Sequence, residues 1–410
     1  GDLFQETRLK KTQRCLLRTG LFQKNDFLDG IQTKVQRIQG QNRILLRFVL
    51  QSVPTTFSPL PVINFYPGLG LILGARIQER NLLGRGQRLF ASGILTTTMR
   101  LWELSFNWFE PYLADLPLSL LVSGSISSRA LPNLAFSLFD VGGQIGVGLP
   151  MRDSPWTLQL HYFLSFRELS PQEEFGLVVQ GFTQGRWRRA GLLFLVRFRD
   201  RVLHPKDSWS TSHSLSIAHI APYLGASYAL TRIDFSSRLL WNIASFVRLE
   251  GILRLGWIWS GNRLEPPSFE RYRLGGPNMM RGFPIQSIAP TRNIATENSA
   301  TFRPLRVNWG GSKNFFLDFS FYFPLGKPGL FGRLEWVLSV DIGNVFDDRE
   351  AWFQDLRHPA AVLGLFWSAA AGISWKLPTG ASIRMELAVP FNRRSTDPPL
   401  QFWLNAGQPF

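Results

Sequence analysis

The chain has 410 residues, of which 45% are hydrophobic and 13% are aromatic, including 34 Phe and 14 Trp. This composition is too aromatic for a disordered or low-complexity chain, and the single cysteine, Cys15, excludes an internal disulfide framework. The formal net charge of +16 is compatible with a nucleic-acid partner, an anionic membrane surface or a cationic interior, and charge alone does not choose among them.

Residues 1–53 predict a small helix-plus-hairpin module. The basic stretch 6–22 has the pattern of a short amphipathic helix that ends in a glycine-containing turn. Alternating runs at 31–38 and 42–53 predict the two strands of a hairpin. Residues 54–66 are rich in proline and are interpreted as a linker.

Residues 67–410 alternate between apolar and polar side chains along many segments. In LWELSFNWF (101–109), Trp, Leu and Phe share one face, and Glu, Ser and Asn share the other. The segments run for about 9 to 13 residues, which is long for a soluble sheet and enough for a tilted strand to cross a bilayer. No run of about 18 apolar residues predicts a membrane helix. The pattern favours an all-β, roughly 16-stranded antiparallel transmembrane barrel over a large soluble β-protein.

The polar face of these strands carries many charges that a barrel would turn into its lumen. The expected lumenal cations are Arg197, Arg199, Arg232, Arg248, Arg254, Arg333 and Arg384, and the expected acids are Asp234, Glu250, Asp318, Glu335, Asp341 and Glu386. One interpretation is a solvated lumen in which these charges pair with one another. The other is that an acid receives an arginine from outside the strands.

The segment 260–312 has little alternation and is too long for a simple turn, which is typical of a functional loop. If it folds back into the barrel, Arg281 requires a buried carboxylate. Asp341 has the inward parity of its strand, and Asp318 has the inward parity of the preceding one. We therefore predict a loop latch with tight glycine turns and an apolar phenylalanine, made of Gly275, Gly276, Arg281, Gly282, Phe283, Asp318 and Asp341.

Several motifs resemble those of the outer-membrane barrel-assembly insertases, a family of bacterial surface-antigen type. LGGPNMMRGFPIQSIAP (274–290) is similar to the family's signature loop, and VLSVDIGNVF (337–346) to the late strand whose aspartate holds the loop arginine. Residues 68–89 are similar to its first hairpin. The N-terminal module resembles part of a polypeptide-transport-associated (POTRA) domain. The Ser-Ile-Ala-Pro at 287–290 most resembles the mitochondrial branch, the core of the sorting and assembly machinery.

The barrel is expected to close between its first and last strands at a weak seam. Glycines in GLGLILGARIQ (68–78) weaken that strand, and Pro409 removes a donor from the last one. Alternatively, the glycines only relieve twist in a curved barrel. The residues expected at the seam are Leu69, Gly70, Leu71, Ile72, Leu73, Gly74 and Ala75, with Phe402, Leu404 and Phe410.

The resulting hypothesis is a non-enzymatic insertase that uses the open seam as a template for strands of unfolded β-barrel clients. Its expected surroundings are membrane lipids and accessory subunits in the mitochondrial outer membrane, or alternatively a bacterial or plastid outer membrane. A passive or protein-translocating channel of the same superfamily is the alternative. The absence of nucleotide, hydrolase and metal motifs predicts no cofactor and no metal, and the dispersed arginines argue against a nucleic-acid partner.

Overall fold

The computed structural model describes residues 31–37, 44–50, 56–130, 136–150, 155–171, 185–199, 209–244, 246–261, 265–294, 305–326, 332–347, 364–377, 382–395 and 397–407. Strands β1 (Ile31–Arg37) and β2 (Ile44–Leu50) pair antiparallel as the hairpin predicted in the N-terminal module. The helix predicted at 6–22 and Cys15 lie outside the described residues.

Sixteen antiparallel strands form a closed barrel, which confirms the predicted fold class. Its first eleven strands are consecutive in the chain: β3 (Phe57–Tyr66), β4 (Gly70–Leu82), β5 (Gln87–Thr96), β6 (Leu101–Glu110), β7 (Ser119–Ala130), β8 (Phe136–Pro150), β9 (Trp156–Pro171), β10 (Gly185–Arg199), β11 (Trp209–Ile220), β12 (Leu230–Ala244) and β13 (Val247–Trp259). A separate small hairpin follows, formed by β14 (Thr291–Ile294) and β15 (Leu305–Asn308). The remaining barrel strands are β16 (Lys313–Pro324), β17 (Arg333–Phe346), β18 (Phe366–Lys376), β19 (Ser382–Pro390) and β20 (Gln401–Gly407).

The described helical turns are short 3₁₀ segments at Leu113–Asp115 and Pro222–Leu224. A search of the described residues finds no helix with the length and apolar character needed to cross a membrane.

The two faces of the barrel wall follow the predicted alternation. On β17, Leu334, Trp336 and Leu338 are 38%, 48% and 48% exposed, whereas Glu335 and Asp341 are fully buried. Because successive side chains of a strand point to opposite faces, the apolar set meets lipid and the charged set points into the lumen. This arrangement brings charged residues of distant strands to face one another inside the barrel.

The first barrel strand is β3, so the linker predicted at 54–66 is wrong for most of its length. The prolines Pro59 and Pro61 suggested a linker because they donate no backbone hydrogen bond. Prolines are nevertheless tolerated in edge strands. On one side β3 is paired with β4 along its whole length, whereas on the other side three residue pairs join it to β20 within the described part of the chain. The strand expected to come first, which begins near Leu69, is therefore the second strand of the barrel.

Candidate functional site

The segment between β13 and β16 is here called the long segment (260–312), and its described residues 265–290 fold into the barrel lumen. Most of the described side chains between 265 and 290 are buried or half-buried. Leu274, Met280, Phe283 and Ile288 are completely buried in an apolar core that also contains wall residues. This apolar core positions the charged groups of the segment against the wall.

Arg281 is held by carboxylates from three strands. Its backbone N–H donates to Asp341 Oδ2 at 2.8 Å, and its Nη2 donates to Asp341 Oδ1 at 2.5 Å. Nη2 also donates to Asp318, and Nη1 donates to Glu386 Oε1 at 3.2 Å. We call Arg281 with Asp318, Asp341 and Glu386 the Arg281 anchor. The predicted residues Arg281, Asp318 and Asp341 are thus brought together.

The Arg281 anchor has a clear electrostatic logic. Asp318 and Asp341 are direct cross-strand neighbours of β16 and β17, an arrangement in which two like charges repel. The guanidinium lies against both carboxylates and compensates them. Burial alone lowers the pKa of Arg281, but the charges of Asp341, Asp318 and Glu386 raise it well above its ordinary value. The arginine therefore stays charged in the lumen.

Glycines allow the segment to turn and to approach the wall closely. Gly275 and Gly276 have φ of +114° and +111°, a left-handed region that favours glycine. At Gly282, an added Cβ would collide with the Cβ of Ser368 and with the backbone of β19. The neighbouring Phe283 packs edge-on against Phe366, with ring centroids 5.4 Å apart. These contacts place the Arg-Gly-Phe motif directly on the barrel wall.

Three partners of Arg281 were not predicted as such, and one of them is the Ser320 hydroxyl, which accepts from Nη1 at 3.3 Å. Glu386 was predicted only to face the lumen, and its additional partner is Arg384 Nη2 at 2.7 Å. Trp403 of the last strand donates from Nε1 to the backbone carbonyl of Arg281 at 2.7 Å. The parity of β19 could have indicated Glu386, but the choice of its partner depends on how the barrel closes.

A second charged cluster, missed by the sequence analysis, holds the segment to the opposite wall. Glu270 is 2% exposed, and its Oε1 accepts hydrogen bonds from Arg167 Nη1 at 2.6 Å, Arg189 Nε at 2.9 Å and the Tyr228 hydroxyl at 2.7 Å. Burial alone raises the pKa of Glu270, but the charges of Arg167 and Arg189 lower it below its ordinary value. We call these four residues the Glu270 anchor.

Among the described residues, the pairing of β3 with β20, here called the seam, is the shortest in the barrel. Three residue pairs join the strands, namely Leu404–Phe65, Asn405–Asn64 and Ala406–Ile63. By comparison, β20 pairs with β19 over seven residues, and β3 pairs with β4 over ten. Residues 57–62 of β3 have no strand partner on the seam side within the described part of the chain.

Polar and aromatic side chains reinforce this short seam. The backbone N–H of Ala406 donates to Asn64 Oδ1 at 3.1 Å, and the Tyr66 hydroxyl donates to Asn405 Oδ1 at 3.0 Å. The rings of Tyr66 and Trp403 lie edge-on, with centroids 5.8 Å apart. Side chains therefore supply much of the contact between the two edges.

The position of the seam corrects part of the prediction. Phe402 and Leu404 lie in β20 as expected, whereas Phe410 lies outside the described residues. Leu69 lies in the turn before β4, and Gly70, Leu71, Ile72, Leu73, Gly74 and Ala75 belong to β4, one strand away from the seam. The edge that faces β20 belongs to β3, because the barrel contains this additional strand before β4.

Most other lumenal charges pair within the wall, as the first interpretation predicts. Arg232 contacts Asp234 at 2.8 Å, and Arg248 contacts Glu335 at 3.0 Å. Glu250 receives Arg238 at 2.6 Å, and Glu335 also receives Arg333 at 3.0 Å. Among the described residues, no group of histidine, cysteine and carboxylate side chains could hold a metal ion.

Comparison with known proteins places this architecture among outer-membrane barrels. Residues 81–410 match the model of the Omp85 superfamily domain. The crystal structure of BamA from Haemophilus ducreyi lacking POTRA domains 1-3 has a TM-score of 0.68 and 16% identity, over 98% of this chain and 78% of that one. A search of curated protein sequences gave no match.

Two further solved structures share the fold. CdiB from Escherichia coli has a TM-score of 0.64 and 14% identity, over 92% of this chain and 67% of that one. CdiB from Acinetobacter baumannii has a TM-score of 0.62 and 11% identity, over 99% of this chain and 69% of that one. At these identities the likeness concerns the fold of the chain.

Proposed function

Because the chain belongs to the Omp85 superfamily of outer-membrane insertases and transporters, we propose that it inserts β-barrel proteins into an outer membrane. The observation that carries this proposal is the short seam. The edge of β3 is paired with β20 over three residues, and residues 57–62 leave an unpaired edge within the described part of the chain. That edge is the template on which a client strand is added.

The membrane supplies the driving force for such an addition. A backbone N–H or C=O group without a hydrogen bond costs roughly several kcal/mol in hydrocarbon, because no water is present to bond with it. A client strand that pairs with β3 removes this cost for both edges. Pro59 and Pro61 lack an N–H, so they reduce the number of hydrogen bonds that β3 can form at its free edge. The client is therefore held and later released without covalent chemistry.

The long segment connects this seam to the Arg281 anchor. Trp403 lies in the seam strand β20, and its indole donates to the carbonyl of Arg281. Movement of β20 away from β3 alters the position of this donor relative to the anchor. We infer that the loop latch fixes β20 and thereby keeps the C-terminal edge in place while the seam opens.

The experiment is the folding of an unfolded β-barrel client in liposomes that contain the protein. A Cys15→Ser background carries Asn64→Cys with Asn405→Cys, a directly opposed pair across the seam. Such pairs have the separation that a disulfide requires. We expect the oxidised seam to abolish the acceleration of client folding and reduction to restore it. A client that folds equally fast on the oxidised and reduced protein would contradict templating at the seam.

A matched control locks a pair of strands elsewhere in the barrel. Ser105 and Ser125 are direct neighbours of β6 and β7, so Ser105→Cys with Ser125→Cys adds a comparable crosslink. This variant should accelerate client folding as the wild type does. Placing photo-crosslinkers along β3 and β4 then tests which strand the client contacts, and the proposal requires β3.

The alternative is a passive or protein-translocating channel with the same barrel. It is favoured by the membership of transporters in the superfamily, and it predicts flux of ions or peptide through liposomes without acceleration of client folding. The buried long segment counts against free conduction, because its apolar core and both anchors occupy the lumen. Flux that persists with the seam locked and without client folding would support the channel.

We further propose that the protein acts in the mitochondrial outer membrane with accessory subunits, and that residues 1–53 are a partial POTRA-like module. The support is the resemblance of residues 274–290 to the mitochondrial branch and the hairpin β1–β2. The test is whether the chain replaces the core subunit of the mitochondrial sorting and assembly machinery in depleted cells. Rescue of a bacterial assembly defect alone would assign it to a bacterial outer membrane.

A further inference from the structure

A second feature of the lumen is a cavity of about 370 Å³ between the long segment and the barrel wall. Its lining combines five arginines with one carboxylate, and apolar side chains complete its surface. The arginines are Arg129, Arg232, Arg254, Arg271 and Arg273, the carboxylate is Asp234, and the apolar side chains include Phe136, Phe269 and Met279.

Three of these arginines already have acidic partners. Arg129 contacts Glu103 at 3.0 Å, and Arg271 contacts Glu265 at 3.2 Å and Asp347 at 3.3 Å. Asp234, the carboxylate of the cavity, receives Arg232 Nε and the Tyr272 hydroxyl, each at 2.8 Å. These pairs account for Asp234, the carboxylate that lines the cavity.

The remaining two, Arg254 and Arg273, form no direct ion pair with a carboxylate among the described residues, although the charge of Asp318 acts on Arg254 at longer range. Arg254 lies over the Phe316 ring at 5.8 Å and forms no hydrogen bond with the described part of the chain. Arg273 donates to neutral backbone carbonyls, those of Ser268 and Trp309 at 2.9 Å, and its Nε is buried without an acceptor. Burial and the neighbouring charge of Arg271 lower the pKa of Arg273 to about 9, the direction expected for a cation without a counter-charge.

We propose that this cavity binds a small molecule that carries a phosphate group, held between Arg254 of β13 and Arg273 of the long segment. A phosphate monoester carries roughly −1.5 to −2 charges near neutral pH, which matches two guanidinium groups that have no direct ion pair within the described residues. Guanidinium groups bind phosphate oxygens through paired hydrogen bonds. The volume is within the range of small-molecule sites, and the aromatic wall suits an apolar part of the ligand.

Such a ligand joins the long segment to the barrel wall. Arg273 belongs to the segment, Arg254 belongs to β13, and the ligand contacts both. Because the ligand binds the docked arrangement better than the undocked one, its binding stabilises the docked segment. The site does not depend on which protein the barrel inserts or transports.

The test uses phenyl phosphate, inorganic phosphate and nanodiscs with or without phosphatidic acid, each added to the full chain. Binding is measured by calorimetry and by the shift of the thermal midpoint. We expect saturable binding of a phosphate monoester that weakens about tenfold or more in both Arg254→Gln and Arg273→Gln. Arg85→Gln is the matched control, because Arg85 lies exposed in the turn after β4, at the barrel end away from the long segment. It should bind as the wild type does.

Arg254→Gln also separates a binding site from a structural one. Because Arg254 forms no hydrogen bond with the described residues, its replacement removes only the ring contact with Phe316 and the longer-range attraction of Asp318. The ligand-free variant should therefore melt close to the wild-type temperature, and it should lose the ligand-induced shift. Binding of phenyl phosphate identifies a soluble ligand, and a response to phosphatidic acid alone identifies a lipid headgroup. Unsaturable binding of every probe, or equal binding by wild type and Arg254→Gln, would overturn the proposal.

Discussion

The two anchors of the long segment have opposite polarity. In the Arg281 anchor, one cation lies among three carboxylates of β16, β17 and β19. In the Glu270 anchor, one carboxylate lies among two arginines of β9 and β10 and a tyrosine. Each wall therefore has an excess of one charge that the segment neutralises. The charges of the segment are therefore complementary to those of the barrel wall. Without the segment, the carboxylates of the first anchor would repel one another, and so would the arginines of the second.

The largest effect is expected from removing the cation of the first anchor. Arg281→Ala leaves Asp318 and Asp341 directly opposed and Glu386 without one of its two arginine partners. Breaking a buried ion pair from one side costs about 3–5 kcal/mol. The free energy of unfolding in urea, measured in lipid vesicles, should fall by that order, and a loss below about 1 kcal/mol would show that this wall tolerates its acids.

A second substitution in the Arg281 anchor tests whether repulsion between its carboxylates causes this loss of stability. Adding Asp318→Asn to Arg281→Ala removes one of the two opposed charges, so it should recover part of the lost unfolding free energy. Asp318→Asn in the wild-type background should instead be destabilising, because Arg281 loses a partner. If the double variant is no more stable than Arg281→Ala, repulsion between the carboxylates does not explain the loss.

The next effect concerns the second anchor. Glu270→Gln keeps the shape of the side chain but removes the charge that Arg167 and Arg189 share. Hydrogen bonds to charged groups contribute about 1.5–3 kcal/mol, so we expect a loss of about 2 kcal/mol. This is smaller than for Arg281→Ala because Arg167 retains Asp140. The control Glu103→Gln breaks an exposed pair with Arg129 and should cost less than about 1 kcal/mol.

Acidification should weaken the second anchor reversibly. The pKa of Glu270 is lowered in the folded protein, so its stabilising contribution is complete above the ordinary glutamate value of about 4.3. The contribution is lost as the pH falls through the lower folded value. The gap in thermal midpoint between wild type and Glu270→Gln should be constant from pH 7 to about 5 and should narrow below about pH 4. A gap that widens in acid would contradict the assigned charge.

The smallest effect concerns the link between the first anchor and the seam. Trp403→Phe keeps the ring but removes the hydrogen bond to the Arg281 carbonyl. The loss of one buried hydrogen bond should cost about 1 kcal/mol in unfolding free energy. Client folding should change more than stability does, because the link positions β20. Unchanged client folding with the expected loss of stability would show that the seam and the anchor act independently.

Sequence periodicity predicted the strands of the barrel wall and the two aspartates of the Arg281 anchor, but it did not predict the Glu270 anchor. The two-residue period assigned Asp318 and Asp341 to the lumen, the length of the long segment indicated Arg281 as their partner, and the resemblance supported that pairing. Glu270 escaped notice because it lies in a segment without periodicity, where no parity assigns a direction to a side chain. Its arginines are about 80 and 100 residues away in the chain, as are many contacts that only barrel closure creates. Residues 57–66 were missed because prolines in an edge strand look like those of a linker.

The seam also determines how the protein itself can be made. The hydrogen bond from Tyr66 to Asn405 joins residues that are 339 positions apart, so β3 can pair with β20 only after all the strands between them have been synthesised. Contacts of such large sequence separation form slowly, and the open edge stays exposed to other strands meanwhile. We therefore expect closure of the barrel to follow the pairing of the intervening strands, and a partly folded copy to present an unpaired edge at β3 until β20 arrives.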